Sequence, residues 1–135
     1  MATHSITTVF NRNMLFTAKV SGYDVLMNDG DDDSGASPKQ MMLASLAGCT
    51  GMDVVSMLRK MKVEFSDYSM DVVADLTDEH PRIYNKVKLT YKIRLAAEDE
   101  LKMEKAVSLS KEKYCGVSAM FTAFAQLTTE IIYLD

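Results

Sequence analysis

Residues 37–61 read SPKQMMLASLAGCTGMDVVSMLRKM, and the fold follows from how this stretch must be housed. Ser37-Pro38-Lys39-Gln40 is a capping box, with Ser37 at the N-cap, proline in the first helical position and Gln40 in the third, able to answer the N-cap amide. A helix beginning here runs to about Met61, roughly 36 Å at 1.5 Å per residue. Between Met41 and Leu58 its only polar side chains are Ser45, Cys49, Thr50, Asp53 and Ser56. A helix apolar nearly all round must be covered on most sides. One thin antiparallel sheet cannot do that, so the pattern predicts a homodimer whose second subunit supplies part of the cover.

Before the helix, Ile6 to Phe10, Leu15 to Val20 and Tyr23 to Met27 are β-prone runs separated by Asn11-Arg12-Asn13 and Ser21-Gly22. They predict a three-stranded meander with Arg12 in a hairpin turn. The acidic stretch Asn28 to Ala36 comes next. Its Asp29, Asp31 and Asp33 match the first three ligand positions of a calcium loop, but Ser34 stands where the turn glycine belongs and Gln40 where the bidentate glutamate belongs. It reads as a solvated loop.

After the helix, Tyr68 to Leu76 alternates, and beyond a turn Ile83, Val87, Leu89, Tyr91, Ile93 and Leu95 face one way, with Asn85 interrupting. Tyr84, Lys86, Lys88, Thr90, Lys92 and Arg94 face the other. This is an antiparallel pair with one wet face, on which acidic positions of the first strand meet basic ones of the second. Glu98 to Lys113 reads as an amphipathic helix with Leu101, Met103, Ala106 and Leu109 inward. Val117 to Gln126 reads as a second apolar helix and Thr128 to Leu134 as a closing strand. The sum is an α+β fold in one domain, 1–135.

The chain has 135 residues, 47% of them hydrophobic and 25% charged, which suits a globular domain of ordinary size. A net charge of −4 offers no positive field for phosphate backbones, so nucleic acid is not an expected partner. Met1 to Phe10 lacks the basic start and apolar core of a secretion signal, and no segment offers about 18 uninterrupted apolar residues. The expectation is a soluble cytoplasmic protein without a membrane partner. Cys49 and Cys115 are far apart in the chain, form no CxxC motif and are joined by only two histidines, His4 and His80. No metal site and no cofactor are expected.

In a reducing compartment two cysteines are more often redox-active than a structural bridge. Cys49 lies in Gly48-Cys49-Thr50-Gly51, where each glycine costs the helix about 1 kcal/mol relative to alanine. Either tight packing surrounds a small apolar Cys, or a thiol sits in a crevice that backbone or substrate approaches closely. Cys115 precedes Gly116-Val117-Ser118, which opens a helix and favours a thiolate. Asp53 follows Cys49 by one turn on the same helix face and needs a partner, either a Lys or Arg in an ion pair or a group of the thiol chemistry. Residue physics alone nominates Cys115 as the more acidic thiol. It leaves Cys49 in need of a cation from Lys39, Arg12 or the partner subunit.

The segment from Ser37 to Val55, together with Glu112-Lys113-Tyr114-Cys115-Gly116-Val117-Ser118-Ala119, resembles the OsmC/Ohr family. The resemblance covers essentially the whole chain. It implies an intertwined homodimer with two active sites at the subunit interface beside the central helices. It implies reduction of organic hydroperoxides during oxidative or osmotic stress, with Cys49 as the attacking thiolate. Cys115 then closes a disulfide with the resulting sulfenic acid, and an external dithiol restores both thiols. The two cysteines should therefore lie within bridging reach, their Cα atoms about 7 Å apart or less. An apolar pocket would select alkyl or fatty-acid peroxides. In the dedicated hydroperoxide-resistance branch a glutamate at the position of Lys39 holds an arginine that stabilises the thiolate. Lys39 and the lone preceding arginine, Arg12, place this chain nearer the OsmC-like relatives. The competing class is a non-catalytic dimer that binds a small apolar molecule, which Lys39 favours.

Overall fold

The computed structural model describes residues 1–29 and 34–135. The calcium-loop positions Asp31 and Asp33 lie outside the described residues. The chain divides into two compact units, Met1–Leu43 and Ala44–Asp135.

The first unit is the expected meander, β1 (Thr7–Arg12), β2 (Leu15–Val20) and β3 (Tyr23–Met27), paired antiparallel in that order. Ser21 and Gly22 both have positive φ, 48° and 87°, which makes the β2–β3 connection a two-residue turn whose twist matches its strands. Arg12 departs from its expected place in the first turn. It ends β1 opposite Leu15 beyond a bulge at Phe10/Arg12, exposed. The turn is tighter than its polar residues suggested, with Asn13 taking the left-handed conformation at φ 51°.

Helix α1 (Pro38–Lys60) starts as the cap predicts, the Gln40 amide donating to Ser37 Oγ at 3.4 Å. Its end is set by Lys62 at φ 57°: the Val63 amide returns to the Leu58 carbonyl at 2.9 Å and the Lys62 amide to that of Arg59 at 3.1 Å. This is a Schellman closure, sealed by buried Leu58 and Val63. By length and composition α1 could cross a membrane. Its stripe of Leu46, Thr50, Val54 and Leu58 is instead fully buried in the fold, with Thr50 hydrogen-bonded to neighbouring elements. Cover is narrower than the expected all-round burial: Met52 is 75% exposed.

In the second unit, β4 (Phe65–Leu76), β5 (Tyr84–Leu95) and β6 (Gln126–Tyr133) form a sheet in that order, with β5 central. The β4–β5 pair is antiparallel and carries the expected ion pairs, Lys92–Asp71 at 2.7 Å and Arg94–Asp67 at 2.9 Å. Ile83 and Tyr84 exchange their expected faces. Asn85 is an extra residue where the register shifts between Asp75 and Leu76, and this bulge turns Tyr84 inward and leaves Ile83 exposed.

The β5–β6 pair is parallel and so requires a crossover. That crossover is one 3₁₀ turn (Ala97–Asp99), α2 (Glu100–Leu109), a π-helical turn (Ser110–Tyr114) and α3 (Gly116–Thr122). It corrects three expectations. The helix expected to reach Lys113 changes to π geometry at Ser110, Leu101 is 79% exposed rather than inward, and the second helix stops at Thr122. Gln126 and Leu127 leave helical periodicity because they pair with Lys86 and Val87 in the sheet.

Truncating Leu58→Ala should cost about 2–5 kcal/mol in chemical denaturation, because it opens a cavity under a sealed helix end.

Candidate active site

Two elements deliver the cysteines. Cys49 lies midway along α1, half-buried. Cys115 is 3% exposed and is placed by the π turn: its amide donates to the Ser110 carbonyl five residues back at 2.8 Å, and it then becomes the N-cap of α3. Its Sγ accepts the Ser118 amide at 3.3 Å. The two cysteines come to 3.1 Å of each other, both as free thiols. That separation leaves a short movement to a disulfide bond length of about 2.05 Å.

The head of α3 acts on both sulfurs: the Ser118 amide donates to Cys115 Sγ, and the Val117 amide lowers the Cys49 pKa. This differs from the expectation that the helix N-terminus favours Cys115 alone. Even so, burial pushes the Cys49 thiol above its ordinary pKa, and its hydrogen bond to Cys115 adds to the rise. The Val117 amide opposes them, while the charges of Cys115 and Asp53 push further up.

Asp53 has no ion pair with Lys or Arg among the described residues, contrary to the ion-pair reading of its sequence. Its Oδ2 accepts from Ser110 Oγ at 2.9 Å. Ser110 Oγ bonds Thr50 Oγ1 at 2.8 Å, and Thr50 Oγ1 bonds the Tyr91 hydroxyl at 2.7 Å. Ser110, Thr50 and Tyr91 are fully buried, and desolvation holds the Tyr91 phenol above its usual pKa. Ser110, Thr50 and Tyr91 were not legible as site residues. They come from three elements, and each is an ordinary polar residue in its own segment.

A family model for OsmC-like protein matches residues 30–130. Protein YhfA of Escherichia coli (strain K12) is 31% identical over 108 residues, covering 80% of this chain and 81% of that protein. The chain belongs to the OsmC-like protein family. Among solved structures, an OsmC-like protein from Mycoplasma pneumoniae superposes with a TM-score of 0.84 at 15% identity, covering 99% of both chains. The organic hydroperoxide resistance protein OhrB of Bacillus subtilis superposes with 0.64 at 17% identity, covering 97% of this chain and 98% of that one. The fold thus fits the OsmC-like relative better than the resistance protein.

This OsmC-like protein has an open apolar cleft of about 660 Å³ along α1, lined by Gly48, Gly51, Met52, Val55, Ser56 and Tyr68, with Arg59 and Lys60 toward the helix end. The two glycines act differently. A Cβ at Gly51 would lie 3.1 Å from Met70 Sδ, so this glycine admits β4. A Cβ at Gly48 would meet nothing within 4 Å, so this one widens the cleft. Cys49 sits about 100° round the helix from Gly48, between the cleft and the buried stripe.

Of the remaining sequence candidates, Arg12 on β1 and Lys39 and Gln40 in the first turn of α1 are exposed residues of the first unit. Among the described residues no cluster of His, Cys, Asp or Glu is arranged to hold a metal ion.

Alkylation of Cys49 by iodoacetamide, measured in Cys115→Ser, should rise with pH through a midpoint above that of an ordinary thiol. Asp53→Asn in the same background should lower the midpoint, because one of the charges opposing the thiolate is gone.

Proposed function

We propose that this OsmC-like protein is a thiol-dependent peroxidase for organic hydroperoxides, acting through the Cys49/Cys115 pair. The observation that carries this reading is the asymmetry of two thiols 3.1 Å apart, one half-buried beside a cleft and the other 3% exposed. A peroxide reaches Cys49 first. The thiolate attacks one peroxide oxygen, an S–O bond forms as O–O breaks, and the alkoxide leaves with a proton as an alcohol. Cys115 then attacks the sulfenic sulfur, S–S forms and the hydroxyl leaves as water. An external dithiol reduces the disulfide, becoming oxidised itself, and both thiols return. The apolar cleft suits an alkyl substituent better than hydrogen peroxide.

The environment of Cys49 requires a cation at the moment of attack, and we assign that role to Lys39, Arg12 or a group of the second subunit, with Gln40 in a supporting place. We read residues 1–135 as one domain, since α1 runs unbroken through the boundary between the units. The working form is an intertwined homodimer in the cytoplasm, active in an oxidative or osmotic stress response. What supports the dimer is exposed apolar side chains on α1 and α3, Met52 and Met120 at 75% and 66%. A second reading, a non-catalytic dimer that binds a small apolar ligand, draws on the raised pKa of Cys49 and on the same cleft.

Thiol substitutions separate the two. Cys49→Ser should abolish the first turnover with cumene hydroperoxide. Cys115→Ser should complete that one turnover and accumulate a sulfenic acid on Cys49, trapped by dimedone. Full consumption by both variants would remove the cysteines from the mechanism, and none by the unsubstituted protein would leave the binding reading. Light scattering should return the mass of two chains, and a monomeric mass at micromolar concentration would exclude the dimer.

A further inference from the structure

Asp53 is the group the peroxidase reading leaves unused, and its surroundings are specific. Ser110 has one hydroxyl hydrogen, and the carboxylate, which only accepts, takes it. Thr50 must therefore donate to Ser110, and the Tyr91 hydroxyl must donate to Thr50. The chain runs in one direction, Tyr91 to Thr50 to Ser110 to Asp53, with each dipole aimed at the carboxylate and reinforcing the next. The chain ends on Asp53, one helical turn from Cys49. For stability alone this is a poor arrangement, since a carboxylate beside a thiol opposes the thiolate.

Proton accounting gives it a use. For the disulfide to close, Cys115 must lose a proton, and at 3% exposure it cannot deliver it readily to bulk water. Ser110 joins the two groups: its carbonyl holds the Cys115 amide at 2.8 Å and its hydroxyl holds Asp53 at 2.9 Å. Asp53 acts electrostatically on Cys49 of α1 and Tyr91 of β5, and Cys115 at the head of α3 acts on the same two groups. No Lys or Arg among the described residues forms an ion pair with Asp53.

We propose that Asp53 is the proton carrier of the thiol pair, taking the proton of buried Cys115 as that sulfur attacks and passing it to the group that leaves Cys49. This rests on the peroxidase reading and deepens it at the same site. With a sulfenic acid on Cys49, the S–S bond forms and the S–O bond breaks. Cys115 is oxidised as the sulfenic sulfur is reduced, and the proton moves from Cys115 through Asp53 to the departing hydroxyl, giving water. The Ser110–Thr50–Tyr91 chain positions the carboxylate.

The test reads closure without relying on a peroxide. Dithiodipyridine attaches to the accessible Cys49 and displaces one thiopyridone, and attack by Cys115 displaces a second, followed by absorbance. Asp53→Asn should slow the second release at least about tenfold at neutral pH, the scale of a lost general base, with the deficit shrinking as the pH rises and hydroxide takes over. Asp53→Glu should restore most of the rate. Ser110→Ala, which keeps the carboxylate but removes its donor, should slow closure less and move its pH dependence upward. It decides the matter if Asp53→Asn fails to fold. Closure by Asp53→Asn at the unsubstituted rate, or an equal slowing at every pH that Asp53→Glu does not relieve, would overturn the assignment. The same holds for Ser110→Ala with an unshifted pH profile. Repeating the series with cumene hydroperoxide keeps the two readings apart: closure after dithiodipyridine but not after hydroperoxide defeats the peroxidase reading, and the disulfide arm still judges Asp53.

Discussion

Everything at the site depends on one buried polar junction, where the Ser110 hydroxyl meets Thr50 and Asp53 of the central helix. Apolar packing of α1 against the sheet tolerates small slips, because dispersion contacts are weak singly and non-directional. Hydrogen bonds of 2.7 to 2.9 Å among buried hydroxyls do not, since breaking one leaves an unsatisfied group that costs about 1–3 kcal/mol. The junction therefore fixes the register of the crossover on the helix. The π turn that begins at Ser110 converts that register into the position of Cys115. An extra residue in a helical turn displaces the downstream chain relative to ordinary α geometry, and here it brings a thiol to 3.1 Å from another.

The electrostatics of the pair derive from the same placement. The Val117 amide lowers the Cys49 pKa, yet burial, the neighbouring thiol and Asp53 together outweigh it. Dipolar help at the start of a helix as short as Gly116–Thr122 is small beside desolvation and a nearby like charge. On the proposed peroxidase reading, a cation from elsewhere is needed to hold Cys49 as a thiolate.

Sequence made the architecture legible where the signals are local. The Ser37 cap, the alternation along β5 and the Ser21-Gly22 turn each act within a few residues, and the elements they announce are present. Apart from Leu101 and the first hairpin turn, where Asn13 takes the left-handed conformation and Arg12 stays in β1, the failures are non-local. The Asn85 bulge depends on register against β4, and α3 ends early because Gln126 and Leu127 find partners on β5. Cys49 and Cys115 drew notice through their rarity and their family context. Ser110, Thr50 and Tyr91 gave no comparable signal, being a serine in a lysine-rich turn, a threonine in an apolar helix and a tyrosine in an alternating strand. Asp53 was visible as a charge in need of a partner. Its partner proved to be a hydroxyl chain, because the groups that reach it come from a crossover whose π turn periodicity does not announce.

The central claim is that Cys49 and Cys115 form one redox unit, and the most direct measurement is peptide mapping by mass spectrometry. Reduced protein would receive one equivalent of an alkyl hydroperoxide and be digested without reductant. The account predicts a peptide pair joined through Cys49 and Cys115, with the alcohol formed in equal amount. Recovery of both cysteines as free thiols with the hydroperoxide unconsumed would contradict it.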